Sequence, residues 1–216
     1  MDKAAIKGEI PDITNMVPCE PFDFYIKRKL YVHNMGHATC AYLGDLLGLE
    51  YIYQAIAVPE IRILVHNAML ESAAALAKMY AQPLQDLLDH ITDLLYRFTN
   101  AALGDTCQRV GGDPARKLSP EDRLIGASRT AMEMGITPAY ISIGTAAGLK
   151  RYIAENDMAQ SLDSAKKVLE EVCRLDDGEL TQRILGNYSL LLESATLTDL
   201  LKTAQEQKHQ SLLSVI

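Results

Sequence analysis

Apolar residues recur every three or four positions along most of this 216-residue chain. This spacing is typical of helices that bury one face. The clearest run covers residues 60–80 and contains Ile61, Leu64, Val65, Ala68, Met69, Ala73, Leu76 and Met79. Residues 83–98 repeat the spacing. No stretch alternates apolar and polar residues with the period of two that a half-buried strand requires. The pattern therefore predicts an all-α, multi-helix fold.

Prolines, glycines and capping residues mark the ends of the predicted helices. A helix begins after Pro21, since proline is favoured in the first turn, and it continues past His37 to end near Gly48. Ser119, followed by Pro-Glu-Asp, is typical of a helix start with acids in the first turn. The remaining predicted helices cover residues 60–80, 83–98, 105–110, 119–135, 138–153, 161–175, 179–192 and 193–211.

Composition and charge narrow the class of protein. Hydrophobic residues make up 48% and charged residues 23% of the chain, which is ordinary for a globular protein. The net charge of -7 argues against a nucleic-acid partner. The longest apolar runs are too short to predict a membrane span. Four scattered cysteines without a signal peptide indicate reduced thiols and a cytoplasmic location. Histidines and carboxylates show no ligand spacing, so we expect no metal.

Three polar residues in the first predicted helix are candidates for chemistry. Lys29, Asn34 and His37 stand at the spacing K-x4-N-x2-H. On an α-helix, residues three apart are neighbours, whereas residues five apart are separated by about 140°. Lys29 would therefore lie about 12 Å below His37 along the axis, and a bend at Asn34 or Gly36 would help to bring the three together. The alternative is an amphipathic helix whose polar residues only face water.

A second segment, residues 109–123, concentrates positive charge around two glycines. Arg109 and Lys117 flank Gly-Gly-Asp-Pro, and a turn there could direct both cations into one pocket. Arg116 and Arg123 extend the cluster. Acidic residues interrupt it, so it suits one small anion better than a duplex. The alternative for Arg116 and Arg123 is ion pairing with the nearby acids, which are Asp113, Glu121 and Asp122.

Both segments resemble motifs of the polyol-specific long-chain dehydrogenases. Residues 28–44 contain R-K-L, then N-x-G-H-A, then A-Y-L-G, and residues 109–124 read R-V-G-G-D-P-A-R-K-L-S-P-E-D-R-L. Two motifs in the same order, about 70 residues apart, make the resemblance specific. It extends from about Lys7 to near the end of the chain and weakens after about Ile153. It implies the helical C-terminal domain of the mannitol dehydrogenase type.

The resemblance also implies roles for the candidate residues. Lys29 would be the general base that takes the hydroxyl proton while hydride leaves the carbon. Asn34 would donate a hydrogen bond to the reacting oxygen, and His37 would bind the same oxygen or a neighbouring hydroxyl. Arg109 and Lys117 would hold substrate oxygens.

Phosphate recognition would fall to Arg116 or Arg123, because the guanidinium fork binds two phosphate oxygens. The implied reaction is NAD-dependent oxidation of a hexitol phosphate. The alternatives are a different hexitol or hexonate dehydrogenase, or a non-catalytic module that binds a sugar phosphate.

The cofactor site is expected outside this sequence. No G-x-G-x-x-G occurs, and Gly111-Gly112 follows a predicted helix instead of a strand, so it does not fit a dinucleotide loop. We expect residues 1–20, with Pro11 and Pro18, to be the remnant of a linker, and residues 21–216 to be the catalytic domain. A missing Rossmann domain would bind most of the NAD, in cis or in trans, and the chain alone would be inactive.

Overall fold

The structure is a computed structural model that describes residues 1–10, 12–14 and 16–213. Within those residues a π-helix (Arg28–Asn34) joins the first two α-helices, and a 3-10 helix (Ala101–Leu103) follows the fifth. The α-helices are α1 (Phe22–Lys27), α2 (Met35–Leu46), α3 (Ile52–Ala57), α4 (Pro59–Tyr80), α5 (Leu84–Phe98), α6 (Cys107–Gly111), α7 (Pro114–Lys117), α8 (Ile125–Glu133), α9 (Ala139–Glu155), α10 (Leu162–Glu171), α11 (Glu179–Leu192) and α12 (Leu197–Leu213).

Strand-like backbone pairing in the described residues is limited to two isolated bridges, Asp2 with Cys19 and Tyr51 with Thr106. The predicted all-α fold is therefore confirmed. Across those same residues, no helix combines the length and the apolar character needed to cross a membrane. Pro11 and Asn15 of the predicted linker, and residues 214–216 at the predicted end of the domain, lie outside the described residues. The boundary at residue 20 stays a prediction.

Helices α2, α4 and α9 pack against one another at the centre of the domain. Every residue of α2 from Met35 to Gly44 is buried except His37. In α9, residues 139–149 are all buried. A helix that is buried on nearly all sides belongs to the core. His37, the only partly exposed residue between Met35 and Gly44, is therefore held rigidly by its neighbours.

Glycines allow α2 to approach its neighbours closely. Gly144 of α9 lies against Thr39 of α2, where an added Cβ would be 2.3 Å from the threonine Oγ1. Gly36 lies against Met69 of α4, and a Cβ there would be 2.6 Å from the methionine Cγ. Larger residues would force side chains or backbone to move. The small residues thus fix the depth at which the helix carrying His37 sits.

A buried carboxylate links α4 to the start of α9. Glu71, only 1% exposed, accepts hydrogen bonds from the backbone N–H groups of Tyr140 at 3.0 Å and Ile141 at 3.1 Å. These N–H groups lack partners within their own helix. Burial raises the pKa of Glu71 to about 7, although the N–H donors and the charge of Lys208 act in the opposite direction.

Two predicted helix starts were wrong by several residues. Helix α8 begins at Ile125, not at Ser119. The Asp122 carboxylate accepts from the backbone N–H of Arg123 at 2.6 Å and from its Nε at 2.7 Å. This local bonding holds a turn ahead of the helix. Helix α12 begins at Leu197 instead of residue 193.

The later start of α12 has a clear cause in a reciprocal cap. Thr196 N–H donates to the Asp199 carboxylate at 3.0 Å, and Asp199 N–H donates to Thr196 Oγ1 at 3.2 Å, which is the capping-box arrangement. Helix α3 was not predicted, because six residues are too few for a period of 3.6 to be recognised.

Candidate active site

The first motif lies on a π-helix, not on a continuous α-helix. Hydrogen bonds in the segment Arg28–Asn34 span five residues, as in the bond from Met35 N–H to Leu30 O. A π turn therefore brings residues five apart onto nearly the same face. Lys29 and Asn34 are five apart, so the about 140° that an α-helix would place between them largely disappears. The sequence-based expectation of an α-helix here was wrong, and the difference favours the proposed chemistry.

The side chains of Lys29 and Asn34 are free for other contacts. Lys29 is exposed and Asn34 is half-buried. Among the described residues, neither side chain has a hydrogen bond or an ion-pair partner. Lys29 lies close enough to His33 for its charge to lower the pKa of that imidazole. These side chains are thus positioned by the backbone alone.

His37 is held by an aromatic ring and a carboxylate. Its ring stacks on Phe98 with 4.7 Å between centroids and 16° between planes. Its Nε2 lies 3.4 Å from Oδ2 of Asp105, whose other oxygen pairs with Arg109. Burial, together with the charges of Arg109 and Arg123, lowers the pKa of His37 to about 4. The imidazole is therefore neutral near neutral pH.

His33 also lies near the site, although the motif assigns it no role and the sequence predicts only a structural one. Its ring centroid lies 6.0 Å from those of both His37 and Phe98. Burial lowers its pKa to about 4, with smaller contributions from His37 and from the cations around it. Its position four residues after Lys29 and four before His37 was the available signal. The two histidines form a neutral pair beside the first motif.

Every cation of the second motif has a partner within the domain. Arg116 Nε lies 2.9 Å from Oδ2 of Asp113, and Arg123 Nε lies 2.7 Å from Oδ1 of Asp122. The buried Lys117 donates from Nζ to the carbonyl of Gly112. Both arginines thus form ion pairs with nearby aspartates, and their roles toward a phosphate stay predictions.

The third acid of the ion-pairing alternative, Glu121, lies 3.7 Å from Arg129 instead. Arg109, which is 66% exposed, pairs with Asp105 from the turn before α6. The predicted turn between Arg109 and Lys117 contains a short helix, α7, capped by the Asp113 carboxylate through the Arg116 N–H at 3.3 Å.

The two motifs meet around His37. The charges of Arg109 and Arg123 both lower the pKa of His37. Arg123 also acts on Lys117, whose pKa is lowered first by burial and then by the charges of Arg123 and Arg116. The structure thus joins His37, Arg109, Arg123 and Lys117 in one electrostatic region. Arg116, with its side chain 59% exposed, lies at the edge of this region.

The space enclosed beside His37 is only a narrow cleft. It is lined by Ile52, Tyr53, Phe98, Asn100, Leu103 and Asp105 as well as His37. Its volume of about 10 Å³ is roughly enough for one water molecule, so a six-carbon polyol would not fit inside it. Among the described residues, no group of three or more His, Cys, Asp or Glu side chains is placed to hold a metal ion.

The helical fold and the two motifs together indicate one family of proteins, and comparison of the sequence with known families agrees. The model of the mannitol dehydrogenase C-terminal domain matches residues 22–209. This chain belongs to the mannitol dehydrogenase C-terminal domain family, and the resemblance inferred from the two motifs is confirmed.

Two curated relatives are called mannitol-1-phosphate 5-dehydrogenase. The one from Caldanaerobacter subterraneus subsp. tengcongensis is 42% identical over 149 residues, which cover 69% of this chain and 38% of the relative. The one from Thermoanaerobacter pseudethanolicus is 33% identical over 201 residues, covering 90% of this chain and 52% of the relative. The chain thus spans about half the length, or less, of these relatives.

A solved structure has the same fold. Mannitol 2-dehydrogenase of Pseudomonas fluorescens, in a ternary complex with NAD and D-mannitol, matches with a TM-score of 0.65 and 18% identity. The match covers 87% of this chain and 42% of that one. At this identity the likeness supports the multi-helix architecture and carries no information on substrate.

Proposed function

We propose that this chain is the substrate-binding and catalytic domain of an NAD-dependent hexitol-phosphate dehydrogenase that interconverts mannitol 1-phosphate and fructose 6-phosphate. The observation that carries the proposal is the π-helix, which brings Lys29 and Asn34 toward one face immediately before His37. Its residues match the family motif, and the side chains of Lys29 and Asn34 have no partner among the described residues. The cytoplasm would be the site of the reaction.

In this proposal the chain supplies the proton chemistry. Lys29 accepts the hydroxyl proton of the substrate as a general base. Asn34 donates its amide hydrogen to the reacting oxygen, where negative charge develops. NAD, when bound, accepts the hydride. We infer that the dinucleotide is held mainly by a nucleotide-binding domain in cis or in trans, because the sequence contains no G-x-G-x-x-G.

The phosphate preference rests on the second motif and on the names of the relatives. Arg109 and Lys117 would hold hydroxyl oxygens of the substrate. We infer that Arg123, more than Arg116, binds the phosphate, because the charge of Arg123 lowers the pKa of both His37 and Lys117. An arginine can keep its carboxylate partner on one edge of the guanidinium and offer the other edge to a phosphate.

A chimera tests the proposal directly. This chain would replace the matching segment of the Thermoanaerobacter relative, so that the nucleotide-binding part comes from that protein. We expect NADH oxidation with fructose 6-phosphate, much weaker activity with fructose, and loss of activity in Lys29→Ala. A matched control is Lys167→Ala, since Lys167 is an exposed lysine on α10 and its removal should leave turnover unchanged.

Three outcomes would contradict parts of the proposal. Equal turnover of fructose and fructose 6-phosphate would exclude the phosphate branch and favour another hexitol or hexonate dehydrogenase. Calorimetric binding of fructose 6-phosphate without turnover in the folded chimera would favour a non-catalytic sugar-phosphate module. NADH binding by the isolated chain would contradict the inference that the cofactor is held elsewhere.

A further inference from the structure

A chain of three side chains connects the two motifs. His37 Nε2 on α2 lies 3.4 Å from Oδ2 of Asp105, and Arg109 on α6 donates from Nη2 to Oδ1 of the same carboxylate. The backbone also anchors Asp105, because its carbonyl accepts the N–H of Ile52 at 2.9 Å. The carboxylate therefore has two anchors that do not depend on the histidine.

The stacking of His37 on Phe98 leaves one question about the ring open. Stacking at 4.7 Å and 16° fixes the plane of the ring. It does not select between the two flips of the ring, since a half-turn about the Cβ–Cγ bond keeps the plane but puts the carbons Cδ2 and Cε1 where Nδ1 and Nε2 were. The contact with Asp105 is what distinguishes them.

The charges around His37 determine where its hydrogen lies. The contact between His37 and Asp105 is electrostatic and not a formed hydrogen bond. A carboxylate repels a nitrogen lone pair and attracts an N–H, so the nitrogen facing Asp105 is the one that carries the hydrogen. Burial and the charges of Arg109 and Arg123 lower the pKa of His37 to about 4, and the neutral ring has only one N–H. Arg109 already balances the charge of Asp105, so the carboxylate does not attract a second proton to the ring. Nδ1 is left with a lone pair and has no hydrogen-bond partner among the described residues.

We propose, on the basis of the proposed function, that Asp105 is a positioning residue that holds the hydrogen of His37 on Nε2, so that Nδ1 accepts a hydrogen bond from a substrate hydroxyl. A lone pair would repel the oxygen of a ketone, so His37 does not face the reacting oxygen, and Asn34 is the donor there. His37 instead selects polyols and ketoses that carry a hydroxyl beside the reacting carbon.

Nitrogen NMR of the whole 216-residue chain tests the tautomer without any substrate. Near neutral pH we expect Nε2 of His37 to give a protonated, pyrrole-type signal and Nδ1 a pyridine-type signal, assigned by their loss in His37→Gln. Asp105→Ala should shift His37 toward the other tautomer, whereas Asp105→Asn, which keeps an acceptor oxygen, should restore it. Asp177→Ala removes a comparably placed loop aspartate that pairs with Lys166, and it should change nothing at His37.

Two results would overturn the proposal. One is a wild-type His37 protonated on Nδ1, which needs no variant to fold. The other is an unchanged His37 tautomer in Asp105→Ala when circular dichroism shows an intact helical fold.

Activity measurements on the chimera provide a second test of the role of Asp105. A substrate analogue lacking the hydroxyl beside the reacting carbon should be turned over roughly 10-fold or more less efficiently by the wild type, and this discrimination should shrink in Asp105→Ala and return in Asp105→Asn. Equal discrimination in all three proteins would contradict the role of Asp105. An inactive chimera with the expected tautomer would instead count against the proposed function and leave the positioning role intact.

Discussion

The two motifs carry similar residues but hold them by different means. In the first, Lys29 and Asn34 depend on the π-helix for their position, and in the described residues their side chains contact no hydrogen-bond or ion-pair partner. In the second, Arg109, Arg116 and Arg123 are each paired with an aspartate. A side chain that reacts benefits from a rigid backbone and a free functional group. A side chain that binds and orients a ligand benefits from a partner that fixes its own position.

This contrast separates effects on activity from effects on stability. Substitutions of Lys29 and Asn34 should remove turnover and leave the free energy of unfolding nearly unchanged. Substitutions in the second motif should lower the free energy of unfolding wherever the broken pair is shielded from water. Each of the following measurements tests the predicted behaviour of one of the two motifs, and they are ordered from the largest expected effect to the smallest.

Lys29→Ala should have the largest effect. Loss of the general base should reduce kcat of the chimera by about 10²–10⁴-fold. Because Lys29 is exposed and has no partner, the free energy of unfolding should change by less than about 0.5 kcal/mol. Steady-state NADH oxidation and urea unfolding of the same preparation measure both quantities. A large loss of stability would mean that Lys29 has a structural role and that the contrast fails.

Asn34→Ala should follow. Removing one hydrogen-bond donor from a developing oxyanion typically lowers kcat by about 10²–10³-fold. Asn34→Asp is a sharper variant, since it keeps the size of the side chain but places an acceptor where a donor is needed. It should be at least as inactive as Asn34→Ala, and an active Asn34→Asp chimera would exclude this role.

Acid should destabilise the protein through the first motif. His33 and His37 have pKa values lowered from 6.5 to about 4, so the unfolded chain binds more protons between these values and stability falls as the pH drops from about 6.5 to 4. Each lowering of the pKa is worth on the order of 3 kcal/mol, and less for His33, which solvent screens in part. Glu71, with its pKa raised to about 7, acts oppositely, and its contribution is lost as the pH rises through 7.

Urea unfolding between about pH 7 and pH 4 measures this slope, and the double variant His33→Gln, His37→Gln should lose the fall in stability toward acid and keep the opposite contribution of Glu71. Residues 105–123 contain no histidine, so they do not share this effect. The same slope in wild type and double variant would assign acid sensitivity to groups elsewhere in the molecule.

Arg123→Ala and Arg116→Ala form a matched pair with the smallest effects. Arg123 and Asp122 are only 13% and 15% exposed, so removing the arginine strands a shielded carboxylate and should cost about 1–3 kcal/mol. Arg116 and Asp113 are 59% and 57% exposed, so their pair should be worth less than about 1 kcal/mol. Thermal unfolding distinguishes them, and equal shifts would remove the distinction between shielded and exposed pairs.

Helix positions could largely be predicted from the sequence, but several ends could not. The long helices α4, α5, α9 and α11 follow directly from the apolar period. The start of α8 was misplaced because Ser119 and its acidic neighbours carry a helix-start pattern, while the side chain of Asp122 uses its oxygens on Arg123. A helix-start pattern and a local side-chain hydrogen bond compete for the same segment. Which of the two forms depends on where the flanking segments lie.

What the sequence determined by itself is the all-α architecture, the family and the candidate residues Lys29, Asn34, His37, Arg109, Lys117, Arg116 and Arg123, because apolar periodicity and motif spacing are properties of the chain alone. The tertiary structure decided the π turn under Lys29 and Asn34, the pairing of each arginine, and the contact between His37 and Asp105. Those features depend on groups that are distant in sequence and on shielding from water. The physical reason is that burial and charge act through space, and only packing brings His37, Asp105 and Phe98 together.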